Sequence, residues 1–442
     1  MKFYTRTIES AELRRMQNLS FNDHSRLTIV TGKRRTGKTT LILKSVRDLP
    51  TVYLFISRKK EAMLCSEFIP IITQSLKIAV REKIRTFRSL FQYLMTLAVS
   101  RPFNLVIDEF QEFYNINESV YGDMQRIWDT YREKSKMNLI VSGLIHSATL
   151  SLFRDVEEPF FGRADCLIRL SAFELSTLKE IIHDCNPAYT NDDLLALYSF
   201  TGGVPKYVEL LCDHTALSVN EMIAFMAQEN SPFIDEGKRL LTEDLGKNHI
   251  TYFSILSAVS GGITTQPEIE EAIGDQRIGG HIKRLVEDYN ILVRQRPILA
   301  KEGSKTVRYE IPDNFIRFWL NYFDRYRSLI EIKDFTGLQN IIRADYPTYS
   351  ATMLERYFKQ QFAESFHYHN IGSWWEAKGN QPEIEIDIIA LKLRKKQAIA
   401  VEVRRQKADF KPKQFVKKVQ FFNYKLLPSY RVNRVYLSLE DM

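Results

Sequence analysis

The sequence predicts an α/β protein: a parallel sheet with a helical lid, then three helices and a β-hairpin, then a second, smaller α/β segment. Three observations carry this. Four short apolar runs, at 26–30, 52–56, 103–107 and 137–141, alternate with helical stretches, the pattern of a parallel sheet. A glycine-rich loop joins the first run to a helix. Near the end of the chain, two alternating apolar runs at 385–390 and 398–404 read as adjacent strands.

Bulk properties set the frame. At 442 residues the chain exceeds what one ordinary core holds, so roughly two to four domains are expected. Hydrophobic residues make up 44% and charged residues 26%, as in soluble globular proteins. No apolar run approaches the roughly 20 residues that span a bilayer, and the start, MKFYTRTIES, lacks the apolar stretch of a secretory signal. Cys65, Cys166, Cys185 and Cys212 have no CxxC spacing and read as buried thiols of a reduced compartment. The expected location is the cytoplasm.

The first strand, RLTIV at 26–30, leads through Thr31 into Gly32-Lys-Arg-Arg-Thr36-Gly37-Lys38-Thr39, and Thr40 continues into a helix. The octapeptide fits GxxxxGK[ST], and strand, glycine loop and helix are the context that this P-loop pattern needs. Glycine lets the backbone close around phosphates, so that N–H groups and the helix N-terminus face the anion. Gly32, Thr36, Gly37, Lys38, Thr39 and Thr40 are therefore the nucleotide-binding candidates. Lys38 is expected to reach the β- and γ-phosphates, and the Thr39 hydroxyl to bind Mg²⁺.

The strand at 52–56 comes next, and the third, FNLVI at 103–107, ends in Asp108-Glu109. Asp108 is expected to hold Mg²⁺ through water, and Glu109 to orient and deprotonate the attacking water. The fourth strand ends in Ser142-Gly143. Ligands on parallel sheets bind at the carboxyl ends of strands, where Gly32, Asp108 and Ser142 would gather. Ser142 is thus placed to sense the γ-phosphate; a simple polar strand cap is the alternative.

These motifs, with Asp108-Glu109-Phe110-Gln111, Phe161-Gly162-Arg163 and Thr201-Gly202-Gly203-Val204-Pro205 in that order, resemble the prokaryotic ATP-binding proteins of the archaeal-ATPase family, relatives of the STAND and AAA-type ATPases. The resemblance implies ATP and Mg²⁺ as cofactors. It gives Arg163 a catalytic contact with the γ-phosphate, in its own subunit or a neighbour's, with a surface salt bridge as the alternative. It gives Pro205 a contact with nucleotide from the lid, where a plain interhelical loop is the alternative. It also places an N-terminal segment at the adenine, for which 3–6 is the loose candidate. No NKxD-like guanine-reading motif is apparent, which favours ATP.

From 171 to 230 the apolar spacing is helical, consistent with the lid. Helical patterns at 251–260, 266–273 and 280–289 precede two β-prone runs at 291–294 and 306–310, the order of a winged helix-turn-helix. Lys283 and Arg284 on the third helix would face DNA phosphates if the domain binds DNA. In STAND-like relatives such a domain often packs on the ATPase core instead. Asp313 to Trp319 resembles the segment that follows this domain in the same family, its aromatics filling a core.

The last stretch resembles the PD-(D/E)xK, restriction-endonuclease-like fold that the family carries at its C-terminus. The resemblance makes Asp387 and Glu402 ligands of a second Mg²⁺, with Glu355 as an upstream helical contributor. Two carboxylates on a divalent metal suit phosphodiester hydrolysis, because the metal lowers the water's pKa and stabilises the leaving charge. The chain departs from the pattern at Arg404, where a lysine is expected. A guanidinium stays protonated and cannot accept a proton, so three readings stay open: an active nuclease, a metal-poor or inactive nucleic-acid-binding remnant, and a purely structural α/β module.

The net charge of +8 concentrates here: from Leu391 to Met442, 14 Lys/Arg stand against 4 Asp/Glu. A basic end with interleaved Phe410, Phe415, Phe421, Phe422 and Tyr424 favours a nucleic-acid partner, DNA first. A solvated basic face, with the aromatics as the buried side of one amphipathic helix, is the alternative. The expected domains are a P-loop ATPase core at 1–170, a helical lid at 171–240, a winged-helix domain at 241–330 and a nuclease-like domain at 331–442. Together they predict an ATPase whose cycle is coupled to nucleic-acid binding or processing. The competing reading is a nucleotide-dependent signalling switch that recruits a protein partner, with an inactive nuclease-like domain; a homo-oligomer or a protein partner is the further expectation.

Overall fold

The computed structural model describes residues 2, 4, 6–144, 162–245, 250–274, 277–301, 303–304, 306–378, 381–392 and 396–442. It divides into two compact units, Lys2–Ala172 and Phe173–Met442.

The first unit is built on β1 (Arg26–Gly32), β2 (Thr51–Phe55), β3 (Phe103–Asp108), β4 (Met137–Gly143) and β5 (Cys166–Leu170). All neighbours are parallel, in the order β2-β3-β4-β1-β5. The helices are α1 (Thr7–Asn22), α2 (Lys38–Ser45), α3 (Glu61–Leu76), α4 (Phe87–Ser100), α5 (Phe113–Ile116) and α6 (Ser119–Tyr131). Strand alternation divides the core between the two faces. Leu27, Ile29, Leu105, Ile107, Leu139 and Val141 pack with α3, α4 and α6. Val30, Val106, Ile140, Ile168 and Leu170 pack with Leu13 of α1 and Leu41 and Ile42 of α2. The four strands expected from apolar runs are present within two residues of their predicted limits. The fifth, CLIRL, went unread because its Arg169 interrupts a run of only five residues.

The second unit begins with α7 (Leu175–Cys185), α8 (Asn191–Thr201), α9 (Pro205–Asp213), α10 (Val219–Met226) and α11 (Glu236–Leu245), the segment expected to be helical. Capping boxes start two of them: Thr190 with Asp193 for α8, and Ser218 with Glu221 for α10. Then come α12 (Ile250–Ser260), α13 (Gln266–Ala272) and α14 (Gly279–Glu287), followed by an antiparallel hairpin, β6 (Val293–Gln295) with β7 (Arg308–Glu310). Both hairpin strands are shorter than the predicted runs. After α15 (Asn314–Trp319) and α16 (Arg327–Glu331), α17 (Phe335–Glu364) runs for 30 residues. Phe315, Phe318 and Trp319 are buried, as expected for core aromatics.

A four-stranded sheet closes the unit: β8 (Asn370–Lys378), β9 (Gln381–Lys392), β10 (Gln397–Val403) and β11 (Arg431–Leu437), in the order β11-β10-β9-β8. β8–β9 and β9–β10 are antiparallel, and β10–β11 is parallel through the crossover helix α18 (Pro412–Leu426). Phe415, Val419 and Phe422 of α18 pack on Trp374, Ile386, Ile389 and Ala400 of the sheet. This corrects the reading of the C-terminal aromatics as a nucleic-acid surface: Phe415 and Phe422 are core, and Phe421 packs partly against it. Tyr424 alone of the five is largely exposed, at 84%.

Candidate functional site

The glycine loop lies at the carboxyl end of β1. Gly32 is there because a Cβ would stand 2.8 Å from Leu170 O and 2.8 Å from Thr36 Oγ1. Gly37, at φ 84°, takes the left-handed conformation that glycine adopts without steric cost. Thr36 Oγ1 donates to Lys33 O at 2.8 Å and tightens the loop. The buried Lys38 ammonium donates to Gly32 O at 3.0 Å and Lys33 O at 3.1 Å, arching over the turn. Burial lowers the Lys38 pKa from its ordinary value, against the opposing pull of Glu109 and Asp108. Thr40 is exposed on the first turn of α2.

The acidic strand end meets this loop directly. Thr39 Oγ1 donates to Asp108 Oδ2 at 2.8 Å across 69 residues of sequence. Tyr53 Oη donates to the same oxygen at 2.7 Å. Asp108 Oδ1 accepts from the Glu109 N–H at 3.0 Å. Burial and the bonded Asp108 carboxylate raise the Tyr53 pKa, which keeps the phenol a donor. Glu109 sits at φ 57°, in the left-handed region uncommon for a side-chain-bearing residue. Its Oε2 accepts from Gln111 Nε2 at 2.6 Å. Sequence reasoning missed Tyr53, and it named Gln111 only within a motif, without a role. Tyr53 becomes legible only once β2 is known to neighbour β3, since its register partner is Val106, two residues before Asp108 on the same face.

Ser142 ends β4 between β1 and β3, with Val30 as its register partner on β1. Among the described residues its buried Oγ has no hydrogen-bond partner. Gly32, Lys38, Thr39, Asp108 and Ser142 therefore share one edge of the sheet, as expected.

Arg163 does not join them. Asp165 N–H donates to Leu27 O at 2.9 Å, so this segment enters the sheet beside the start of β1. Leu27 precedes Gly32 by five residues, about 17 Å along a strand. Arg163 Nε and Nη2 instead clasp the Asp129 carboxylate of α6 at 2.8 Å each. Within one subunit the salt bridge is what forms, and the expected contact with the loop is corrected. Phe161 of the same motif, and Phe3 and Thr5 of the adenine candidate, lie outside the described residues. Pro205 belongs to the second unit, at the first position of α9 after Gly203 at φ 71°.

In the second unit, Lys283 and Arg284 are exposed on α14 while Ile282 and Leu285 are buried. The C-terminal carboxylates converge as well. The register that pairs Ile388 with Val401 sets Asp387 opposite Glu402. Arg404 lies between them: Nη1 is 3.1 Å from Asp387 Oδ2, and Nη2 is 3.0 Å from Glu402 Oε1. Asp387 Oδ2 also accepts from Val403 N–H at 2.7 Å. Burial, and then the neighbouring Asp387, push the Glu355 carboxyl up to about 8. Among the described residues, no group of three or more His, Cys, Asp or Glu is arranged to hold a metal ion. Of the expected metal set, Asp387 and Glu402 are joined by Arg404 in this structure. No helix of the described residues is long and apolar enough to cross a membrane.

Comparison with known proteins accords with the first site. Residues 6–211 match the family described as an ATPase domain predominantly from Archaea. Residues 319–416 match one described as Archaea bacterial proteins of unknown function. An uncharacterized protein of Methanocaldococcus jannaschii is 27% identical over 408 residues, covering 89% of this chain and 86% of its own. The solved Walker-type ATPase of Pyrococcus abyssi superposes with a TM-score of 0.50 at 18% identity, over 72% of this chain and 96% of its own. The ORC2 protein of Aeropyrum pernix, solved as ADPNP-ADP complexes, does so with 0.51 at 13% identity, over 75% and 95%. Residues 6–211 are thus similar to an ATPase domain found predominantly in Archaea.

Proposed function

We propose that the chain binds ATP with Mg²⁺ at the glycine loop, hydrolyses it, and couples that cycle to nucleic-acid binding through its basic C-terminal region. The observation that carries the nucleotide part is the Thr39 Oγ1–Asp108 Oδ2 bond of 2.8 Å, which joins loop and acidic strand. The donor set suits a magnesium nucleotide: a hydroxyl and a carboxylate for a hard cation, a lysine for phosphate, and at the same edge a Ser142 hydroxyl with no partner among the described residues. The ADPNP-ADP complexes of the Aeropyrum pernix protein support nucleotide in a fold of this kind.

In this reading Lys38 leaves the Gly32 and Lys33 carbonyls for the β- and γ-phosphates, while Thr39 and Asp108 hold Mg²⁺. The metal, when bound, offsets charge on the phosphoryl oxygens. Glu109 turns from Gln111 to orient the attacking water and take its proton. Ser142 reports the γ-phosphate. Pro205 is read as the lid's nucleotide contact, and Arg163, whose side chain is 26% exposed, as serving a neighbouring subunit.

The coupling rests on exposed Lys413 and Lys417 of α18 and exposed Arg431 and Arg434 of β11, with Tyr424 as an exposed aromatic. The three helices and hairpin of 250–310 are read as a winged helix, with Lys283 and Arg284 available to phosphates. The test is the affinity of a labelled DNA duplex for Glu109→Gln loaded with ATP and for wild type loaded with ADP. A nucleotide-dependent difference supports coupling. Equal affinities would leave an ATPase without it and favour the second reading, a switch that recruits a protein. The Glu109–Gln111 bond, which holds the proposed base in reserve, favours that second reading.

A further inference from the structure

Asp387 and Glu402 face each other from adjacent antiparallel strands, and their side chains are only 12% and 4% exposed. Two desolvated carboxylates at such a site need a counter-charge. In a metal-dependent phosphodiesterase the counter-charge is a divalent cation. Here the chain supplies its own. Arg404 follows Glu402 by two residues, and one planar guanidinium spans both acids at 3.1 and 3.0 Å. Arg404 Nη1 also donates to Val403 O at 2.5 Å, which fixes the fork at its root.

We infer that Arg404 takes the place of a divalent cation between Asp387 and Glu402, so that this domain neither holds Mg²⁺ there nor hydrolyses phosphodiesters. It deepens the proposed function by making the C-terminal domain a part that binds nucleic acid without cutting it. Two features carry it. Asp387 Oδ2 is already engaged by Val403 N–H at 2.7 Å and by Arg404, which leaves it poorly placed for a cation needing oxygens at about 2.1 Å. A dication entering the same space would meet a tethered positive charge in a desolvated setting, where repulsion is strong. Glu402 Oε2 is buried with no partner among the described residues. That oxygen is the ligand that would become available if the arginine were removed.

The experiment is a Mn²⁺ titration of the nucleotide-free full chain, followed by electron paramagnetic resonance. A Thr39→Ala background silences the glycine-loop site. The expected result is no Mn²⁺ bound tighter than about 1 mM in that background. Adding Arg404→Ala should create one Mn²⁺ site, which Asp387→Asn then removes. Arg404→Gln, which keeps a planar polar group, serves if the alanine variant does not fold. Supercoiled plasmid with Mg²⁺ or Mn²⁺ should stay intact with wild type. A Mn²⁺ ion bound in the Thr39→Ala chain and lost with Asp387→Asn would overturn the inference. So would Mg²⁺-dependent nicking abolished by Glu402→Ala, or a folded Arg404 variant that gains no metal. ATP turnover is read separately, so failure of the nucleotide reading leaves a different pattern.

Discussion

Tyr53 and Thr39 meet on a single oxygen: both donate to Asp108 Oδ2, at 2.7 and 2.8 Å. The strand β2 thereby reaches across to the acid that the glycine loop also grips. A carboxylate oxygen with two hydroxyl donors is held in one orientation, and its charge is stabilised by both.

Tyr53→Phe tests this directly. The ring stays and one charge-assisted donor goes, a loss of about 1.5 kcal/mol. The Mg²⁺ concentration for half-maximal turnover should rise about tenfold, with kcat within roughly threefold of wild type. An unchanged Mg²⁺ requirement would leave Tyr53 a packing residue only.

Lys38→Ala removes the ammonium that now bridges Gly32 O and Lys33 O. ATP turnover should fall by about a hundredfold or more, while circular dichroism remains that of the wild type. Turnover at the wild-type rate would show that the chemistry occurs elsewhere.

Glu109→Gln separates binding from hydrolysis. Nucleotide affinity should stay within about threefold, and turnover should drop by about 10²–10⁴, the range of a lost general base. Equal loss of affinity and turnover would make Glu109 a structural acid.

Most of this site was legible because its chemistry is local. Gly32 to Thr39 is contiguous, and Asp108 follows an apolar run whose register could only end at the ligand edge. What escaped depends on strand order and on distance between segments. Tyr53 matters because β2 lies next to β3, which no residue of β2 declares. Arg163 follows β4 by about twenty residues, and that spacing says nothing about which end of β1 it returns to; the Asp165–Leu27 bond decides it. The C-terminal aromatics fit a basic binding face and an amphipathic helix equally well until Phe415 and Phe422 are seen packed on Trp374 and Ile386. Arg404 was visible as a departure from pattern, but its grip on both acids required the β9–β10 register.

Glu355 gives a pH dependence. Burial and Asp387 raise its carboxyl from 4.5 to about 8. The folded chain therefore binds more protons than the unfolded chain between these values, and this group's stabilising contribution is lost as pH rises through that window. Glu355→Gln, neutral throughout, should be more stable than wild type by about 1–2 kcal/mol at pH 9, with the gap closing towards pH 5. Comparing Tm for the two chains at both pH values checks it. A gap that widens on acidification would reverse the sign assigned here.

The most direct test is steady-state ATP hydrolysis by the full chain with Mg²⁺, with and without duplex DNA, using Lys38→Ala as the blank. The account predicts Mg²⁺-dependent turnover well above the blank, rising when DNA is added and falling back as salt screens the basic C-terminal face. Turnover no greater than the Lys38→Ala blank at any Mg²⁺ concentration, with or without DNA, would contradict it.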